Sequence, residues 1–167
     1  MLLVHKTPPS MAEGVRPTAE SAVRSGITHI QFAVRPDEDA VAIDEYLKAL
    51  TPVPSPYLVS GQLSEPAKRG KALFFSDRTG CAKCHPEPLY TDLKMHDVGS
   101  KGQYDRRSDF DTSTLIEAWR TAPYMHDGHY TTLKQLFTEG KHGAKGTDLE
   151  KLGEQELNDL IEFVNSL

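Results

Sequence analysis

Cysteine and histidine stand together once in this chain, as Cys81-Ala-Lys-Cys84-His85. Two cysteines among 167 residues are too few for a disulfide scaffold. Their spacing suits another chemistry. Thiols three positions apart can form thioethers with the two vinyl groups of one porphyrin, and the next residue then sets its imidazole beneath the iron. C-x-x-C-H is the attachment signature of c-type haem, with the histidine as proximal ligand. Gly80 before the motif and Pro86 after it suit a tight turn. Three other uses of the same residues compete less well. A structural zinc site needs four ligands, and with no further cysteine His126 and His129 would have to supply two of them. A thioredoxin-type redox pair needs a βαβ setting rich in β-branched strands, which the flanking sequence lacks. Two unmodified cysteines without a role are the third.

The elements that would position the motif can be read from caps and spacing. Residues 1–17 are Pro-rich and irregular. Thr18 caps a short helix to about Arg24, with Gly26 as its stop. Asp37 opens a better helix with Ala40, Ile43, Leu47 and Leu50 on one face. Residues 51–57 contain three prolines and read as a stiff connector, so residues 51–63 are taken as a linker. Ser64 caps a third helix, with Pro66 in its first turn and Ala72, Leu73, Phe74 and Phe75 as apolar positions. Loops and a short β-pair are expected between residues 86 and 111. Thr132 caps a helix carrying Leu133, Leu136 and Phe137, which ends at Gly140. The last helix is amphipathic, with Leu157, Leu160, Ile161, Val164 and Leu167 on one side. A helix before the motif and one at the end are what a small cytochrome wraps around its cofactor. The expected class is all-α and cytochrome c-like, with long irregular loops.

The sequence also repeats itself. Thr121-Ala-Pro-Tyr-Met-His-Asp-Gly128 follows Thr7-Pro-Pro-Ser-Met-Ala-Glu-Gly14 at an offset of 114 positions, which also relates Gly140 to Gly26. The closing helices pair at 117 positions, Phe163 with Tyr46 and Leu167 with Leu50. Residues 1–50 then correspond to the second half of the unit that residues 64–167 contain whole, a partial second cytochrome-like unit.

Composition narrows the function classes. Nineteen Lys and Arg against 24 Asp and Glu give a net charge of −5, and no basic stripe with interleaved aromatics occurs, so no nucleic-acid partner is expected. Mean hydropathy is −0.49 and no apolar run approaches the roughly 20 residues of a membrane helix, so no membrane insertion is expected. Met1-Leu2-Leu3-Val4 is apolar but follows no basic residue and gives way to polar sequence. It does not read as a secretory signal, and a removed signal or a segment of a longer protein is expected.

Three stretches together carry a resemblance: Ala67-Lys-Arg-Gly70-Lys-Ala-Leu-Phe74, Cys81-Ala-Lys-Cys84-His85-Pro86, and Thr114-Leu-Ile-Glu-Ala-Trp-Arg-Thr-Ala-Pro-Tyr-Met-His-Asp-Gly128. The chain resembles the bacterial di-haem cytochrome c peroxidase and MauG family, in particular members fused to a β-propeller. The match spans residues 64–167 and reaches residues 1–50 through the repeat. The resemblance implies two cytochrome-like domains with one haem each, an N-terminal haem that reacts with peroxide and a C-terminal haem that delivers electrons to it. It assigns Cys81 and Cys84 to thioether attachment and His85 to the proximal position. Residues 1–50 become the tail of the peroxidatic domain, whose own C-x-x-C-H and catalytic loop are not in this sequence. No catalytic residue can be assigned, and the fragment alone is expected to be no peroxidase. The implied partner is a redox protein or an upstream haem domain of the same chain, and the implied compartment is periplasmic or otherwise extracytoplasmic. A single-haem carrier without enzyme activity is the alternative.

The sixth iron ligand stays open. In the resembled family it follows the helix after the His-Asp-Gly turn and is often methionine, whereas here Gly140-Lys-His142-Gly offers His142 as the nearest donor. Met125 is the rival, although Met11 at its repeat position suggests packing. Trp119 could lie at a haem edge or simply in the core. His126-Asp127-Gly128 reads as a turn, with Gly128 at positive φ. Asp105, Asp109 and Asp111 form a weak calcium candidate of the kind the family places between its domains.

Overall fold

The computed structural model describes residues 2–167; Met1, the first residue of the apolar N-terminal stretch, lies outside them. The chain divides into two compact units, Met1–Pro52 and Val53–Leu167. Both are mostly helical with long loops, and no described helix is long and apolar enough to cross a membrane.

In the first unit, helix α1 (Ala19–Ser25) starts where Thr18 accepts from the Ser21 N–H and Ser21 answers with its own hydroxyl. The expected stop at Gly26 does not occur. Gly26 keeps right-handed torsions (φ −60°, ψ −46°), and the chain continues through a π-turn over Gly26–Ile30. A glycine ends a helix only where the chain needs a left-handed residue, and here it does not. Helix α2 (Asp37–Ala49) forms as expected, yet its buried positions are Ala40 and Asp44 rather than the Ile43 and Leu47 row. Asp44 is buried because the Arg24 guanidinium of α1 donates to it at 2.8 Å, tying the two helices together.

In the second unit, helix α3 (Glu65–Phe74) is capped by Ser64, whose hydroxyl accepts from the Ala67 N–H. It crosses helix α6 (Glu154–Asn165) at Gly70, where any Cβ would stand 1.9 Å from the Asp159 carbonyl oxygen. Phe74 and Phe163 meet edge to face below the crossing at 5.2 Å. Helix α5 (Leu133–Thr138), capped by Thr132, adds Leu133, Leu136 and Phe137 to the same core, which Ala118, Leu149, Leu160 and Val164 complete. Between α3 and α5 lie a one-turn helix α4 (Cys81–Cys84), the expected antiparallel pair β1 (Met95–His96) with β2 (Phe110–Asp111), and a 3-10 turn, Ala118–Arg120.

A bidentate pair fastens the seam: Arg69 on α3 donates to both carboxylate oxygens of Asp159 on α6, at 2.6 and 2.8 Å. Its hydrogen bonds hold the Asp159 carboxyl below the usual range. The stabilisation is therefore present above the unfolded-state pKa and lost as pH falls through the lower folded one. Asp159→Asn is expected to cost about 2 kcal/mol at neutral pH and to flatten the decline of stability below about pH 4. Chemical denaturation at pH 7 and pH 3 checks both; an unchanged slope in acid would show that other carboxylates set it.

The repeat extends to backbone detail. An isolated bridge joins Ser10 to Arg16 in one unit and Tyr124 to Tyr130 in the other. Met11 and Met125 share left-handed torsions (φ 74° and 73°), as do Gly14 and Gly128 (60° and 69°). The Gly14 N–H donates to Met11 and that of Gly128 to Met125. The copies part after the following helix, where Gly140 is pinned against Tyr130 and Lys141 turns left-handed at φ 49°.

Candidate haem site

The motif sits on a turn that the sequence builds with care for direction. Thr79, buried, donates its hydroxyl to the Leu73 carbonyl at the end of α3 at 2.6 Å. Gly80 takes φ 62°, which an L side chain rarely adopts, and so launches α4 at an angle to α3. One turn of helix puts Cys81 and Cys84 on a single face, since residues three apart lie one above the other. Both thiols are free. Burial pushes both above the ordinary thiol range, so the site supplies protonated thiols rather than a thiolate nucleophile.

His85 ends α4, its N–H donating to the Cys81 carbonyl at 2.9 Å. Its Nδ1 lies 2.9 Å from the carbonyl oxygen of Tyr90, a pairing that favours the tautomer with the proton on Nδ1. Burial lowers its pKa, keeping the ring neutral. Tyr90 is held in turn: its ring meets Phe74 and Phe163 at 5.9 and 6.3 Å, and its hydroxyl donates to Glu87. Sequence reading did not find Tyr90, and no signal could have, because every residue type carries a carbonyl.

His142 comes beside His85 from the turn that follows α5. After Gly140 the chain doubles back through left-handed Lys141, and the His142 N–H donates to the Leu136 carbonyl at 3.2 Å. The polar composition of residues 141–145 suggests a solvated loop. Lys141 and Gly143 are indeed exposed, but the imidazole turns inward. Its Nδ1 is buried without a hydrogen-bond partner, and burial, aided by the nearby His85, lowers its pKa to about 4. The two ring centres stand 6.4 Å apart with planes inclined at 52°.

That separation tests whether the residues suit the group. Two imidazoles ligating one metal ion at about 2 Å each have ring centres roughly 6 Å apart. A direct histidine pair would hydrogen-bond closer. The attachment turn, the neutral His85 anchored on Tyr90 and the inward His142 together fit c-type haem.

Met125 packs on the core and lines a shallow groove with Gly99, Lys101, Asp127 and His129. The Trp119 ring stands with the Arg120 guanidinium 5.7 Å from its centre, and its Nε1 is buried without a partner. His126 stacks on Phe110 at 3.8 Å and bonds Asp105 at 2.8 Å, which fastens the 97–110 loop, while Asp127 accepts from the His129 N–H as a turn residue. The calcium candidate gains no support. Asp105 serves His126, Asp109 pairs with Arg107, and Asp111 lies in β2, and no group of three or more metal-binding side chains gathers among the described residues.

Known proteins share this arrangement of helices. No family model matches the chain. It is 27% identical to the hydrazine synthase gamma subunit of Kuenenia stuttgartiensis over 73% of its length and 47% of that protein. It is 33% identical to the methylamine utilization protein MauG of Methylorubrum extorquens, covering 60% of this chain and 34% of that one. A cytochrome-c peroxidase of a Pseudomonas strain is 30% identical, with 60% and 39% covered. The chain thus spans between a third and a half of these relatives. Among solved structures, Kuenenia stuttgartiensis hydrazine synthase superposes with a TM-score of 0.79 at 22% identity, over 96% of this chain and 68% of that one. A MauG-like protein associated with microbial copper homeostasis gives 0.74 at 19% identity, over 98% and 70%.

Proposed function

We propose that this chain, a homologue of MauG, the di-haem cytochrome c peroxidases and the hydrazine synthase gamma subunit, carries one covalent c-type haem in residues 64–167 and passes electrons through it. In this reading Cys81 and Cys84 form the thioethers, and His85 and His142 take the two axial positions. The haem supplies one-electron chemistry; the protein supplies attachment, orientation and a water-poor shell. The observation that carries the reading is the imidazole pair of His85 and His142, 6.4 Å from centre to centre, at the end of the attachment turn. A sixth position filled by an imidazole suits electron transfer rather than peroxide binding. The unit is accordingly read as the electron-delivering half of a di-haem, peroxidase-like protein outside the cytoplasm, with residues 1–50 as the tail of the preceding, peroxidatic domain. Its electrons go to that upstream haem domain or to a redox partner protein.

The test is His142→Ala. Loss of a second nitrogen ligand is expected to convert a low-spin spectrum toward high-spin and to shift the midpoint potential. A methionine–iron charge-transfer band in the unaltered protein would hand the position to Met125 instead. An unchanged low-spin spectrum in the variant would make His142 a packing residue. With that position closed, the chain is expected to be readily reduced yet to turn over hydrogen peroxide poorly. A rate matching that of a complete di-haem peroxidase would mean that this haem is itself the reactive one.

A further inference from the structure

Asp111 is an acid that the fold half buries without giving its inner oxygen a partner. It lies in β2 opposite Met95 of β1, and its Oδ1 is buried with no hydrogen bond. An anion so placed is costly. Burial first, and then the like charge of Asp92, raise its pKa to about 6. Asp92 has the opposite surroundings. Its Oδ1 accepts from the Lys94 N–H at 3.1 Å, and its Oδ2 lies 2.8 Å from His96 Nε2 on β1. Against the cost of burial, these bonds hold the Asp92 carboxyl below its usual range. The Lys94 side chain is exposed, and Arg107 and Asp109 ahead of β2 pair with each other. Of two neighbouring carboxyls, Asp92 is thus kept as the anion and Asp111 is left to take the proton. The cluster adjoins the attachment turn. The Asp92 N–H donates to the Cys84 carbonyl at 2.9 Å, and the charges of Asp92 and His96 both act on the buried His85 ring.

We propose that Asp111 is the proton acceptor coupled to this electron carrier: as the iron takes one electron, the Asp111 carboxylate takes one proton from water. The inference rests on reading the chain as a one-electron haem carrier with His85 on the iron. The electron comes from the redox partner and the proton from solvent, so the reduced site has the same net charge as the oxidised one. In a water-poor shell that balance avoids the cost of an uncompensated charge. Asp111 suits the task because it is only half-buried, which leaves the proton a way in. The sign follows from linkage. An ionised Asp111 favours ferric iron and a protonated one favours ferrous, and reduction in turn tightens the hold of Asp111 on its proton.

The test is a redox titration of the full haem-bearing chain between about pH 5 and about pH 8. The equilibrium constant for reduction is expected to fall about tenfold as Asp111 ionises, roughly 59 mV for one electron. Asp111→Asn stays neutral throughout, so it should hold the acid-side potential and lose most of the pH dependence. Asp111→Glu should restore the step, and His96→Gln should keep it. Reduced-minus-oxidised infrared spectra near pH 6 should show a protonated carboxyl band that grows on reduction and is missing from the asparagine variant. An asparagine variant that keeps the full step overturns the proposal and passes the proton to His96 or to a haem propionate. A potential independent of pH in the unaltered chain overturns it equally. Haem that is absent by mass from matured protein counts against the electron-transfer reading. Haem that is present, with no carboxyl band on reduction, counts against this one.

Discussion

Replacing both Cys81 and Cys84 with Ala is expected to abolish covalent haem in protein matured with a haem-ligation system, leaving the mass of the bare polypeptide. Each single replacement should leave one thioether, and with it a cofactor that survives denaturation. The size of the effect follows from the site. Without thioethers the haem would depend on two axial bonds to His85 and His142, and at low pH both imidazoles compete for protons. Burial lowers the pKa of His142 to about 4, which keeps its imidazole neutral and available as a ligand. Intact mass spectrometry decides the first point. An unmodified mass in the matured parent protein would remove c-type haem from consideration.

The second large effect is expected at Gly70. Valine there would drive its Cβ to 1.9 Å from the Asp159 carbonyl oxygen and 2.9 Å from the Phe163 Cβ. Neither neighbour is the far end of a flexible side chain, so the helices must part. We expect a loss of at least about 3 kcal/mol, because the seam also carries Phe74, Leu160 and the Arg69–Asp159 pair. For a unit of this size that lowers Tm by on the order of 10–15 °C. Thermal denaturation followed by far-ultraviolet circular dichroism measures it. A shift of only a few degrees would mean that α3 and α6 cross elsewhere.

Local rules located most of what positions the site. Thr18, Ser64 and Thr132 cap where hydroxyls before a helix should, and of the apolar row in the last helix Leu160 and Val164 are buried, beside Asp159 and Phe163, which that row did not include. The motif itself is a local object, since thioether spacing and one helical turn are the same three residues. What stayed hidden depends on partners distant in sequence. Gly26 looks like a helix stop, yet it keeps right-handed torsions and the chain runs on through a π-turn, whereas Gly140, its repeat counterpart, is held against Tyr130. Asp44 looks like a surface acid until Arg24 is placed beside it. His142 sits among lysines and glycines that do face water, and its inward turn comes from a left-handed residue and a bond to Leu136. Helix α2 is the converse: its apolar spacing is sound, yet Ile43 and Tyr46 remain exposed.

Tyr90 joins two things usually regarded as separate. Its carbonyl fixes the His85 imidazole, while its ring packs edge-on against both Phe74 and Phe163, the same aromatics that close the α3–α6 seam. A partner of that kind on the far nitrogen sets both the aim and the basicity of a ligating histidine. The midpoint potential of the bound haem would consequently act as a strain gauge for the hydrophobic interior. Conservative changes at Phe74 or Phe163, far too mild to unfold the unit, would be legible as millivolts, and drift at these positions among descendants would retune the electron carrier without touching a single ligand.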